Sequence, residues 1–142
     1  MSPLSHRVIT SSLIRFRADG NHVAMPLMKE NYLQRACTPG TIIIAESCAV
    51  SHDRGGISYG SAVFGEEKVA AWRDIRLWPS RIAGRGRFTV KGRPQRRRGA
   101  PSRANAAVPE ETTLRDIQHT ADSSAQAARN ARRAGFDGIE IY

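Results

Sequence analysis

The stretch that most constrains this chain is residues 41–46, Thr-Ile-Ile-Ile-Ala-Glu. Isoleucine is stiff at its first side-chain torsion and favours extended backbone. The run does not alternate with polar residues. It is bounded by Thr38-Pro39-Gly40 before it and a glycine-bearing loop, residues 51–65, after it. A short continuous apolar run between turn residues reads as a strand covered on both faces, which is the environment of a parallel sheet. Parallel neighbours need long crossovers, usually helical, so the run predicts a helix on either side.

Both helices are readable. Pro26 can open the first, because its missing N–H would be unpaired there anyway. Met28, Tyr32 and Ala36, at spacing four, predict its inner stripe, with Leu33 beside it. Glu66 and Glu67 suit the positive start of the second, and Val69, Trp72 and Ile75 share one face of it. Residues 6–10, His-Arg-Val-Ile-Thr, predict a short strand, and residues 17–25 a loop with an Asp19-Gly20 turn. Far downstream, Thr113 and Asp116 resemble a capping box. Leu114, Ile117, Ala121, Ala125 and Ala128 predict the packing face of a third helix. Arg129, Arg132 and Arg133 suit its negative end, and Gly135 can close it. Phe136-Asp137-Gly138 turns the chain into a further strand, Ile139 to Tyr142. The order β-α-β-α, a long interruption, then α-β predicts an α/β fold with a parallel sheet. The pattern does not separate a closed barrel from an open doubly wound sheet. Gly84-Arg85-Gly86 lies in the interruption rather than at a strand-to-helix turn, so it is no dinucleotide fingerprint.

The interruption also explains the charge. The formal net charge is +9, which invites a nucleic-acid reading. Residues 73–103 hold 11 of the 22 Lys and Arg but a single acid, Asp74; the remainder has 11 basic and 12 acidic residues. The chain is nearly neutral apart from one basic segment. Its Arg, Gly and Pro content predicts a loose stretch with too little apolar area to offset its ordering entropy. No apolar run reaches 18 residues, so no membrane span is expected. Arg15 and Arg17 interrupt the first apolar stretch, which argues against a signal peptide. Cys37 and Cys48 make no disulfide framework, and a reduced, cytoplasmic setting is expected. The cysteines and the scattered histidines, His6, His22, His52 and His119, show no metal-ligand spacing.

Three blocks, in order, resemble the Old Yellow Enzyme family of FMN-dependent oxidoreductases. HRVITSSLIRFRADG, residues 6–20, resembles the first barrel strand and its loop. NYLQRACTPGTIIIAES, residues 31–47, with the helix EEKVAAW, residues 66–72, resembles the second strand and its flanking helices. AQAARNARRAGFDGIEIY, residues 125–142, resembles the helix and fourth strand. The resemblance implies an incomplete (β/α)8 TIM-barrel. Roughly the first four strand positions are present, and the third is unrecognisable. A closed barrel needs roughly 250 residues, and this chain has 142. The implied organisation is barrel over 1–75, a basic, disordered insert over 76–112, and a helix and strand over 113–142, with the chain truncated there.

The resemblance also implies chemistry. Hydride passes from NAD(P)H to FMN and then to an activated alkene of an enone-type substrate. It assigns cofactor contacts to Ser12, Leu13 and Ile14 after the first strand, and to Ser47 after the second. Ile14 stands where the family has a threonine whose hydroxyl bonds the flavin. The family's third-strand glutamine, in Gln-Leu-Trp, is not found. Arg76-Leu77-Trp78 is either the remnant of a deletion, with Arg76 in the glutamine's place, or a coincidence. Tyr142 stands where the family has the first residue of a substrate-gripping pair. Three functional readings follow: an FMN oxidoreductase-family protein with impaired activity, a catalytically inactive truncated or frameshifted fragment, and a non-specific nucleic-acid binder acting through the basic segment. Phe88 is the one aromatic between residues 85 and 103, so base stacking has little support, and a solvated basic stretch is the expectation.

Overall fold

A computed structural model describes residues 7–38, 40–52, 58–77, 85–91 and 112–141. β1 is Ile9–Thr10, shorter than the strand expected over 6–10. Helix α1, Pro26–Ala36, follows, then β2, Ile42–Ala49, and α2, Glu66–Leu77. β3 is Arg85–Lys91, α3 is Leu114–Arg133 and β4 is Gly138–Ile141. The sheet runs β1-β2-β3-β4, and every pairing is parallel. A doubly wound sheet reverses its strand order at a switch point. Here each strand lies beside its predecessor, α1 packs on α2 and α2 on α3. That is the progression of a (β/α)8 barrel, with its first four strand positions in place.

The core forms where the helices meet the sheet. Met28, Tyr32 and Ala36 are the buried residues of α1, as the spacing predicts. Val69, Trp72 and Ile75 of α2 are buried with them, and Ile43 and Ala45 face them from β2. Trp72 is central. Its ring meets Tyr32 and Phe136 at centroid distances of 5.9 and 5.7 Å, and its N–H donates to the Ala62 carbonyl at 3.1 Å.

Three sequence expectations are corrected. First, a strand occupies Arg85–Lys91, inside the segment expected to be loose. Phe88-Thr89-Val90 is its locally strand-favouring part, and ladders to β2 and β4 satisfy its backbone on both edges. Residues 78–84 and 92–111, including the arginine run at 96–98, lie outside the described residues. Second, Arg76 and Leu77 end α2 rather than starting a third strand, so the deletion reading fails. The Arg76 guanidinium instead bonds Asp137 at 2.9 Å. Third, α3 packs through a different face. Ala127, Asn130 and Ala131 are its buried residues. Leu114 is 85% and Ile117 57% exposed, Ala121 and Ala125 are also exposed, and of the expected face Ala128 is half-buried. Small side chains let the far half of α3 approach closely, while its first turns project away. Its ends are as expected. Thr113 and Asp116 form a reciprocal capping box. Gly135, at φ 95°, lets its own N–H and that of Phe136 reach back to the Arg132 and Ala131 carbonyls, a Schellman closure.

Candidate functional site

In parallel barrels, chemistry sits at the C-terminal ends of the strands, where successive loops converge. Here that end carries the loop after β1, the far half of β2 and the loop after β2. The two loops are laced together. The Ala18 N–H donates to Tyr59 O at 3.1 Å, the Ala62 N–H donates to His22 O at 3.1 Å, and His22 Nδ1 donates to Gly60 O at 2.7 Å. Asp19 shapes the turn by accepting from the Asn21 and Val23 amides at 2.9 and 2.8 Å. Phe16, His22 and Tyr59 all take left-handed backbone, at φ 53°, 65° and 61°, which bulky residues rarely adopt. Strain of this kind persists only where surrounding bonds hold it.

The residues expected to meet a cofactor fall at this end. Ser12 and Ile14 are half-buried in the loop after β1, while Leu13 is exposed. Ser47 is buried on β2. The two segments are brought together because the Arg15 N–H, next to Ile14, donates to the carboxylate of Glu46, next to Ser47, at 3.0 Å. Ser12 Oγ and Ser47 Oγ are buried yet have no hydrogen-bond partner. Buried hydroxyls are ordinarily paired, so the pair suits a polar ligand at these strand ends. Beside Ser47, Cys48 and Ala49 the register places Thr89, Val90 and Lys91 of β3. The sequence of β3, residues 85–91, contains no Asn or Gln. β4 reaches the same end at Ile141, opposite Val90; Tyr142 lies outside the described residues.

Beneath these strand ends is a buried polar cluster that motif reading passed over. β2 is irregular between Ile44 and Ser47, and Glu46 lies in that irregularity, 2% exposed. Its backbone N–H donates to the Tyr32 hydroxyl at 2.9 Å. Burial raises its carboxyl above the ordinary carboxylate range, opposed by bonds from the Arg15 amide and the Ser61 hydroxyl and by the charges of Arg15 and Arg17. Cys48 Sγ lies 3.0 Å from Ser61 Oγ, and burial pushes its thiol well up. Burial, then the nearby Glu46, raises Tyr32 likewise. One sequence signal could have revealed the cluster: an acid closing a run that reads as buried on both faces must find polar partners. Among the described residues no three His, Cys, Asp or Glu side chains gather to hold a metal, and no helix is long and apolar enough to cross a membrane.

Known proteins are similar to this chain in sequence and in fold. The NADP-dependent oxidoreductase lnbE of Aspergillus flavus is 38% identical over 98% of this chain, which covers 41% of that relative. The probable inactive reductase easA of Epichloe festucae var. lolii is 31% identical, with the same two coverages. The solved structure of the old yellow enzyme homologue from Zymomonas mobilis (NCR) superposes with a TM-score of 0.81. It is 26% identical over 95% of this chain and 43% of its own. The chain thus spans about two fifths of the length of these relatives. The model of the NADH:flavin oxidoreductase / NADH oxidase family matches residues 2–77, more than half the chain. The sequential parallel sheet, its laced strand-end loops and this match together establish that the chain belongs to the NADH:flavin oxidoreductase / NADH oxidase family, that of the Old Yellow Enzymes.

Proposed function

We propose that this chain binds FMN at the C-terminal ends of β1 and β2, as part of a flavin oxidoreductase using NAD(P)H and an enone-type substrate. One observation carries the reading. The orphaned buried hydroxyls of Ser12 and Ser47 fall in the two segments that the family resemblance assigns to the flavin. Bound FMN supplies hydride acceptance and donation. The chain's own residues hold and orient it: Ser12 and Leu13 from the loop after β1, with Ile14 lying alongside, and Ser47 from β2.

The same residues argue for impaired activity. Ile14 cannot donate the bond that threonine makes in the family, and β3 carries no amide to replace the missing glutamine. Fewer donors reach the flavin, so its electronic tuning is weaker than its binding. The name of easA, a probable inactive reductase, accords with this. We read the basic segment as solvated charge; steeply salt-dependent binding to duplex DNA would speak against that reading.

Titration of FMN into the 142-residue chain tests the proposal. The expected result is quenched flavin fluorescence and a yellow protein after gel filtration. A colourless chain whose protease resistance is unchanged by FMN would sink it. Ile14→Thr restores a donor and is expected to tighten FMN about fivefold, the worth of one modest hydrogen bond.

A further inference from the structure

Glu46 is the one buried acid among the described residues. A leucine would fill a strand interior at less cost, so a carboxylate there implies polar work. Three elements meet at this residue. The loop after β1 donates the Arg15 amide to Oε2 at 3.0 Å, across 31 residues of chain. Helix α1 offers the Tyr32 hydroxyl to its backbone N–H. The loop after β2 places Ser61 Oγ 3.0 Å from the Sγ of Cys48, two residues on, near enough to lower the proton affinity of the Glu46 carboxyl. Phe16, directly after Arg15, takes left-handed backbone at φ 53°, so the loop turns sharply just past the tie. The bond joins the residue that follows Ile14 to the residue that precedes Ser47.

We propose that Glu46 is a positioning residue of the flavin site: its carboxylate latches the Arg15 amide and so sets the Ser12–Ile14 segment against Ser47. It rests on the FMN reading above and acts without touching the flavin. Orientation of this kind acts through geometry, and small displacements of a site's walls weaken binding.

The test uses the full chain with two readouts. Amide hydrogen exchange without ligand reports the loop, and FMN titration reports the site. Glu46→Ala is expected to speed exchange at Arg15 about tenfold and to weaken FMN by a similar factor, as loss of one buried hydrogen bond implies. Glu46→Gln keeps an acceptor oxygen and is expected to stay within about threefold of wild type in both. Glu46→Asp keeps the acid but withdraws it by one C–C bond, about 1.5 Å. It should loosen the loop as alanine does, and it decides the matter if the alanine variant fails to fold by tryptophan fluorescence. Unchanged Arg15 exchange in the alanine and aspartate variants overturns the latch, and so does equal loosening by glutamine. A wild-type chain that takes up no FMN, while Glu46→Ala still frees Arg15, overturns instead the flavin reading and the positioning role with it.

Discussion

Ser47 shows what a single hydroxyl can report. A buried hydroxyl without a partner costs about 1–3 kcal/mol relative to a paired one. Ser47→Ala removes that unsatisfied group with little change of shape. It is therefore expected to raise the stability of the ligand-free chain by about 1 kcal/mol, measured by urea denaturation, while reducing the extra stability conferred by added FMN. An alanine variant that is less stable without ligand would mean that Ser47 Oγ is satisfied after all. Ser47 and Ile14 were singled out from the sequence because each stands in a motif with neighbours on both sides. Glu46 was not, although it adjoins Ser47. Within the run 41–46 it reads only as the last residue of a buried strand, because its partners, Arg15 and Tyr32, are distant in sequence.

Helix α3 is where element-level reading succeeds at the ends and fails in the middle. Its capping box and glycine closure are local chemistry, written in consecutive residues. Its packing face depends on where the sheet lies, which local sequence does not state. Leu114, Ile117, Ala121 and Ala125 form a coherent apolar stripe, yet the helix docks on Ala127, Asn130 and Ala131. Asn130 decides the rotation, because its amide donates to the buried Val63 carbonyl at 2.9 Å. Asn130→Ala is expected to cost about 1–3 kcal/mol through that unpaired carbonyl, and Ile117→Ala, on an exposed face, under about 0.5 kcal/mol. Chemical denaturation of the two variants separates the faces; the reverse ranking would restore the face read from the sequence. β3 escaped sequence reading for a related reason. Arg85-Gly86-Arg87 carries no apolar alternation, and what makes it a strand is backbone pairing to β2 and β4.

At the scale of the whole molecule, three titratable groups among the described residues are buried around one core: Tyr32, Glu46 and Cys48. Desolvation is the first cause of each shift, and all three shifts are upward. The folded chain therefore holds these protons more tightly than the unfolded chain. Where the unfolded group has ionised and the folded one has not, the unfolded state binds fewer protons, so stability falls as pH rises. Glu46 acts first, just above the ordinary carboxylate value of 4.5. Cys48 acts above the ordinary thiol value of 9.0, and Tyr32 above 10.0. Background charge hardly changes across the thiol window, since 19 of the 22 basic residues are arginines, which stay protonated there. The expected outcome is a stability that declines above pH 9 with a slope approaching about 1.4 kcal/mol per pH unit from Cys48 alone. Cys48→Ala should flatten that segment of the curve, read from urea midpoints between pH 8 and 10, while leaving in place the fall that begins above the ordinary carboxylate value of 4.5. Glu46→Gln should remove that lower fall and leave the alkaline one. If Cys48→Ala keeps the alkaline slope, the thiol is exposed enough to ionise in the folded chain, and the core beneath the strand ends is more open than its packing around Trp72 implies.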